Sequence, residues 1–506
     1  MKKMVVPAAL TREAPIDLEN HFARFRRHIV GVDQEFDTPY GRKKLLYSDW
    51  TASGRLYRPI EQRIAEDMGA FVANTHTETN VTGTAMTKAY HEAQHIIKQH
   101  VGAREEDVII SSNAGMTGVV NKFQRILGLK ISEKLKPYLS LPEVEQPVIF
   151  ISHMEHHSNH TSWLETLAKV EIIQPDNDGL MDLDHLSKML EKHRSRKRKI
   201  AAITGCSNVT GILTHYHEVA EMMHRNSGLC FVDFACSAPY VDINMRPPNP
   251  LRHLDAIYFS PHKFLGGPGS TGILIFDPKL YSNKIPDHPG GGTVEWTNPW
   301  GEHKFVDNIE AREDGGTPPF LQTIKAALSI KLKEEMRPDL MLQQEKYLID
   351  IIWKGLSKIP NLHLLADNVK ERLGVFSFYI ENVHYNLVVK MLNDRHGIQS
   401  RGGCSCAGTY GHYLLEVSHE QSKSITNKID KGNFSTKPGW VRISIHPTMT
   451  ANEIHTIVNA IEDLALHHQD YARDYRYNTE TNEFKHVSFP GTMNNIVKNW
   501  FENLNH

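Results

Sequence analysis

Residues 228–276 read GLCFVDFACSAPYVDINMRPPNPLRHLDAIYFSPHKFLGGPGSTGILIF. One apolar run ends in Asp233. A second, Ala256 to Phe259, leads into Ser260, Pro261, His262 and Lys263. A turn of Gly266, Gly267, Pro268 and Gly269 then precedes a third run, Gly272 to Phe276. Short apolar runs bounded by turn residues predict buried strands. A strand that ends in a carboxylate, and a lysine wedged between two buried strands, are each costly unless something pairs with them.

Bound pyridoxal phosphate would pair with both: the lysine through a Schiff base, the aspartate by keeping a pyridinium nitrogen protonated. A plainer reading is equally open, in which Asp233 caps a turn and Lys263 reaches the surface.

The chain has 506 residues, so two or three domains are expected. Hydrophobic residues make up 40% and charged residues 23%, which suits a globular protein with a sizeable core. A formal charge of −2 creates no strong field, which argues against nucleic acid and membrane surfaces as partners. The cysteines, Cys206, Cys230, Cys236, Cys404 and Cys406, are sparse and irregularly spaced. They point to a reducing compartment, the cytoplasm, rather than to a disulfide scaffold. The start, MKKMVVPAALTREAP, is broken by Pro7 and soon meets Arg12 and Glu13, a poor signal peptide. No apolar segment is long enough to span a bilayer.

Strands are expected at Leu45–Tyr47, Val108–Ser111, Pro147–Ser152, Val170–Pro175 and Ile200–Thr204. Helices are expected at Asp17–Ile29, Ala85–Val101, Asp182–His193 and Tyr216–Ser227. This alternation predicts a mainly parallel α/β sheet, whose sites lie beyond the carboxyl ends of the strands. Gly115, His156, Asn208 and Asp233 all fall at predicted strand ends or in the turns that follow. The turn SSNAG opens a helix whose first N–H groups favour an anion such as phosphate, and Thr117 adds a hydroxyl. From about Pro318 a long helical pattern, Phe320–Met341 and then Leu342–Leu356, leads to a second unit with strands at Leu373–Ile380 and Val441–Ile445. Residues 74–84 read as a Thr/Asn-rich loop and Ser418–Gly439 as a polar inserted loop. The tail, Tyr471–His506, has no assignable structure.

Several motifs carry chemistry. His91, Glu92 and His95 match H-E-x-x-H, the zinc-protease pattern, but the extended form fails because His100 stands at the wrong offset. His153, His156, His157 and His160 cluster in HMEHHSNH. Helical spacing allows metal ligation, stacking of one imidazole on a flat ring, or a solvated helix start. In RGGCSCAG, residues 401–408, glycines flank Cys404 and Cys406 beside Arg401. A free thiol next to a cation in such a loop is a candidate nucleophile, and two thiols alone fill only half of a tetrahedral metal site. Arg442 lies in a strand, VRIS, where an inward guanidinium needs an anion: a substrate carboxylate, or a structural partner.

In order along the chain, SHMEHHSN…W, SNVTG, VDFACSAPYVDINM, SPHKFLGGPGSTGIL, REDGGTPP and VRISI resemble the motifs of the class V aminotransferase family of fold-type I pyridoxal-phosphate enzymes. The likeness runs from about Leu45 to about Leu464 and is strongest to the cysteine desulfurase and selenocysteine lyase branch. It implies an α/β fold: a large domain with a mainly parallel, seven-stranded-type sheet and a smaller α+β C-terminal domain. By that resemblance an arm covers 1–55, the large cofactor-binding domain 56–325, the small domain 326–470 and an extension 471–506.

The resemblance also implies roles. Lys263 carries the cofactor, Asp233 pairs with its ring nitrogen, and His156 stacks on the ring. Thr117, Ser260 and His262 hold the phosphate with the backbone of Gly115, Met116 and Thr117. Thr293 reaches the phosphate of a partner subunit, since family members are dimers with sites at the interface. Asn208, Arg442 and Arg401 serve the substrate carboxylate. Cys406 aligns with the desulfurase nucleophile, and the C-x-C form also resembles the loop of molybdenum cofactor sulfurases. Cys236 departs from the pattern: it stands where the family usually has a glutamine at the cofactor's phenolic oxygen. No metal is expected.

The implied activity is removal of sulfur from L-cysteine, or selenium from selenocysteine. An enzyme persulfide forms on Cys406, alanine leaves, and the sulfur passes to an acceptor protein or a small thiol. The alternatives are an aminotransferase, C–S β-lyase or epimerase of the same family that needs no nucleophilic thiol, and a non-catalytic binding partner on the same fold.

Overall fold

The computed structural model describes residues 17–75, 77–491 and 493–502. The segment read as a poor signal peptide therefore lies outside the described residues. A seven-stranded sheet runs in the order Val108–Ser112, Gly272–Phe276, Ala256–Phe259, Leu229–Asp233, Lys199–Thr204, Val148–Ser152 and Lys169–Ile173. Most of its strands are buried along nearly their whole length because helices cover both faces, which is the usual condition for parallel strands. All five residues of Gly272–Phe276 are buried.

Only Gly272–Phe276 runs against its neighbours. Residues 260–271 hold one short turn, Pro261–Lys263, and no crossover helix, so the chain returns antiparallel. The strand ends Ser112, Ser152, Thr204, Asp233 and Phe259 consequently open toward one rim of the sheet.

A second, antiparallel sheet orders Leu362–Leu364, Val375–Ile380, Trp440–Ser444 and Arg401–Gly403. Helices Pro338–Leu356, Tyr385–His396 and Ala451–Tyr471 share its core, which includes Leu348, Phe376, Ile443 and Ile461. The helix Leu18–Arg26, capped by the Asp17 side chain, adds Phe22 and Phe25 to the same core. Leu46–Tyr47 pairs in parallel with Ile398–Gln399. Among the described residues no helix is long and apolar enough to cross a membrane.

Three local expectations are corrected, and the tail is placed. The helix placed at Ala85 begins at Val81, because Asn80 caps it by accepting from the Gly83 N–H. The long helical pattern breaks at Arg337 (φ 65°), with Pro338 opening the next helix, rather than between Met341 and Leu342. The segment read as a polar loop contains the helix His419–Ile429, started by a reciprocal cap between Ser418 and Gln421. The tail forms a hairpin, Tyr475–Asn478 with Glu483–His486, and a short helix, Met493–Asn499. Asn482 ties that hairpin to Tyr385 and Asn386.

One partly buried polar trio bears on stability. His224 and His253 each hold a backbone carbonyl through Nδ1 and approach Asp255 through Nε2, at 2.9 and 3.3 Å. Their rings stack 4.0 Å apart at an interplanar angle of 7°. Each Nε2 is engaged by an Asp255 oxygen and each Nδ1 by a backbone carbonyl, so hydrogen bonds account for the trio. Burial alone would raise the Asp255 carboxyl; hydrogen bonds from His224 and His253 outweigh it and take it down to about 2. That stabilisation is full above the unfolded carboxyl value near about 3.9 and disappears as pH falls toward about 2. The same pairing raises His253, whose contribution is full in acid and is lost as pH climbs through its raised value. Asp255→Asn is expected to cost on the order of 2 kcal/mol at neutral pH and to flatten the acid limb of stability. Urea unfolding across the acid range measures both effects.

Candidate active site

At the open rim lies a cavity of about 230 Å³. Every residue to which the family resemblance gives a role lines it, except Thr293.

Asp233 ends its strand at the cavity floor. One carboxylate oxygen accepts the Ala235 N–H at 2.8 Å. Burial raises this carboxyl to about 6, although the Ala235 N–H and Lys263 both oppose the shift. Lys263 follows the neighbouring strand in the turn Pro261–Lys263, and its ammonium makes no hydrogen bond among the described residues. Burial drives its pKa down, with Arg442 and Arg401 adding to the effect and Cys236 and Asp233 opposing it. A buried carboxylate in need of a cation thus stands near an amine inclined to be neutral.

On one side begins the helix Gly115–Ile126. Its N-cap, Ala114, offers no side-chain acceptor. The Ser260 hydroxyl accepts the Met116 N–H at 2.8 Å, and Thr117 and Ser158 join hydroxyls at 2.6 Å. Space here is tight: a Cβ at Gly272 would lie 2.1 Å from the Gly115 carbonyl oxygen. Burial lowers His262 to about 4, with Lys263 assisting. An uncapped helix start beside hydroxyls is an anion cradle.

The histidine cluster divides its work. His156 faces the cavity. Its Nδ1 accepts the Ser158 N–H at 3.1 Å, so the neutral ring carries hydrogen on Nε2. Burial, with Lys263 next, lowers its pKa to about 3. His153 bonds the Gly179 carbonyl instead, His157 bonds Gly408 of the cysteine loop, and His160 bonds Thr409 just after it. Four separate partners replace the shared metal that helical spacing allowed. His91 and His95 line a different cavity, of about 390 Å³, where His95 pairs with Gln99 and Glu105, and among the described residues they belong to no cluster of three side chains placed to hold a metal.

The cysteine loop is a tight turn in which Ala407 N–H donates to Cys404 O at 2.9 Å. Ser405 (φ 51°) and Cys406 (φ 58°) are both left-handed, a conformation that costs an L-residue roughly 1–2 kcal/mol. Three bonds hold it there: His157 N–H to Cys406 O at 2.7 Å, Gly408 N–H to His157 Nε2 at 2.9 Å, and Asn208 Nδ2 to Ser405 O at 2.7 Å. Cys406 is exposed at the rim, and Cys404 is partly buried.

Cys236 lies beside Cys206, and both thiols approach the Ser207 carbonyl at 3.6 Å. The hydrogen bond from Cys206, with Lys263 and Arg442 nearby, lowers the Cys236 thiol against the effect of burial. Arg442 donates through Nη1 to Asn208 O at 3.0 Å and through Nη2 to Asp49 Oδ1 at 2.8 Å. Arg401 Nε donates to Asp49 Oδ2 at 3.0 Å. Thr293 stands apart, its hydroxyl donating to Gly290 O at 2.6 Å. Its expected role concerns a second copy of the chain, not this cavity.

These residues fit pyridoxal phosphate: a cradle for a phosphate, a buried carboxylate lacking a cation, and an amine lacking a partner. A model of the aminotransferase class-V family matches residues 46–457. The chain belongs to that family. As a class-V aminotransferase family member it is a pyridoxal-phosphate-dependent enzyme. Relatives described as probable cysteine desulfurases include one from Pyrococcus abyssi, 24% identical over 83% of this chain and 94% of its own. Another, from Halalkalibacterium halodurans, is 27% identical over 72% of this chain and 84% of its own. In fold, this family member matches a cysteine desulfurase of Thermococcus onnurineus (TM-score 0.67, 23% identity, 83% and 94% of the two chains). It also matches one of Escherichia coli (TM-score 0.68, 21% identity, 88% and 98%).

Sequence reasoning missed supporting residues. Glu155 accepts from Ser152, Asn159 and Thr204, and Asn159 accepts from Trp163 and Tyr258. This buried net fixes the backbone that presents His156; burial raises Glu155 to about 8 despite these bonds. Glu155 and Asn159 stand inside the histidine motif, one residue before and three after His156. Asp49 had no signal beyond a polar turn.

Proposed function

We propose that this enzyme takes sulfur from L-cysteine, or selenium from selenocysteine, and releases alanine. The observation that carries this reading is an exposed thiol, Cys406, on the rim of the cavity that also contains Lys263.

When bound, pyridoxal phosphate supplies an electron sink for charge developing at the substrate Cα. Asp233 would hold a proton at the ring nitrogen, Arg442 would bind the substrate carboxylate while Asn208 Oδ1 accepts from the substrate amine, and Lys263 would move the Cα proton. His156, neutral with hydrogen on Nε2, donates into the cavity and relays protons near the substrate sulfur. The Cys406 thiolate attacks that sulfur. The substrate C–S bond breaks, an S–S bond forms, and a proton is delivered to Cβ. Cysteine and an enzyme thiol thus give alanine and an enzyme persulfide, with atoms balanced. The persulfide passes to an acceptor protein or a small thiol. We further propose a homodimer, in which the loop Gly290–Thr293 reaches the phosphate site of the second copy.

The test is stoichiometry. Holoenzyme given L-cysteine and a reducing thiol is expected to yield alanine and sulfide in equal amounts. Formation of an amino acid from a 2-oxo acid, with no persulfide detected by mass, would favour the aminotransferase reading instead.

A further inference from the structure

We infer that Asp49 sets the charge of the carboxylate subsite, restricting the substrate to amino acids with a single carboxylate. This rests on the reading above that Arg442 serves an amino-acid carboxylate.

Asp49 lies behind the cavity wall, bridging Arg442 at 2.8 Å and Arg401 at 3.0 Å. It is fixed there. Ser48 N–H donates to Gln399 O, Ser444 N–H to Ser48 O, and Thr51 N–H to Ser444 Oγ. With both terminal nitrogens of Arg442 engaged, its Nε is buried without a partner. Asn208 Oδ1, Thr51 Oγ1 and Ser405 Oγ are likewise buried and unpartnered, and all four residues line the cavity. Each unpaired buried group costs roughly 1–3 kcal/mol. Arg442 Nε and the two hydroxyls lack an acceptor, which a carboxylate is, and Asn208 Oδ1 lacks a donor, which an amine is.

The charges then decide which ligand. Arg401 and Arg442 contribute two positive charges and Asp49 removes one. The other charged residues lining the cavity, Asp233 and Lys263, face the cofactor's place. One carboxylate neutralises the remainder. A second finds no uncompensated cation and meets the Asp49 anion instead, a repulsive element of specificity. Asp49 is a positioning residue that acts through the two arginines.

Calorimetric titration of the holoenzyme with L-alanine and with L-aspartate tests this. The wild type is expected to bind alanine more tightly. Asp49→Asn should improve aspartate relative to alanine by about tenfold, the scale of a partly screened unit charge. Adding Arg401→Gln to that variant restores the charge count and should restore the wild-type ratio. An unchanged ratio in Asp49→Asn, or a gain that survives the second substitution, overturns the inference. Should Asp49→Asn fail to fold, Arg401→Gln alone decides, because its side chain is 47% exposed. It should weaken alanine about tenfold, and unaltered alanine affinity overturns the inference. These titrations do not depend on sulfide release. Missing sulfide with a shifted ratio would remove only the desulfurase reading, and normal sulfide with an unmoved ratio only the role of Asp49.

Discussion

Replacing Lys263 by alanine is expected to abolish the covalent attachment of pyridoxal phosphate and with it the visible absorbance of the purified enzyme. Turnover should fall by on the order of a thousandfold or more, since one group both anchors the cofactor and moves the Cα proton. The local chemistry explains why no neighbour substitutes. Burial favours a neutral amine at this position, and nothing among the described residues hydrogen-bonds it. Lys263→Arg should not rescue, because a guanidinium stays protonated and cannot attack an aldehyde. Absorbance after incubation with added cofactor, read beside activity, is the measurement. A variant that keeps the bound-cofactor band would remove Lys263 from its assigned place.

Replacing Cys406 by alanine should separate binding from sulfur chemistry. Cofactor absorbance and its change with L-cysteine should persist, while sulfide and persulfide formation fall by about a thousandfold or more, the scale of deleting a nucleophile elsewhere. Cys404→Ala should retain most activity, because Cys404 is partly buried and, of the two, only Cys406 lines the cavity. Mass spectrometry of the cysteine-treated enzyme reads the persulfide directly. Full sulfide release by the Cys406 variant would transfer the nucleophile elsewhere, with Cys236 and Cys206 as the remaining thiols in the cavity.

Much of this was legible in the sequence because the strands are short, apolar and punctuated. FVD, AIYF and GILIF mark three neighbouring strands, and the residues at their ends fall where an α/β sheet places its site. The direction of Gly272–Phe276 was not legible, since an apolar run reads the same both ways. The helix at His419–Ile429 hid in polar composition, although Ser418 and Gln421 supplied the cap that starts it. Asp49 could not be read from the sequence at all. Its partners are 352 and 393 residues away, and no local pattern records a carboxylate wedged between two distant guanidinium groups.

The pairing of Leu46–Tyr47 with Ile398–Gln399 has a consequence for biosynthesis. A ribosome delivers the first partner long before the second exists. Gly54 meanwhile seats against the lysine turn so closely that a Cβ would lie 1.9 Å from the Phe264 carbonyl oxygen. The nascent amino-terminal segment must therefore wait, unpaired, while the large sheet assembles behind it, and a truncated message would yield a vestibule without its front wall. Completion of the catalytic chamber is thereby a late, whole-length event.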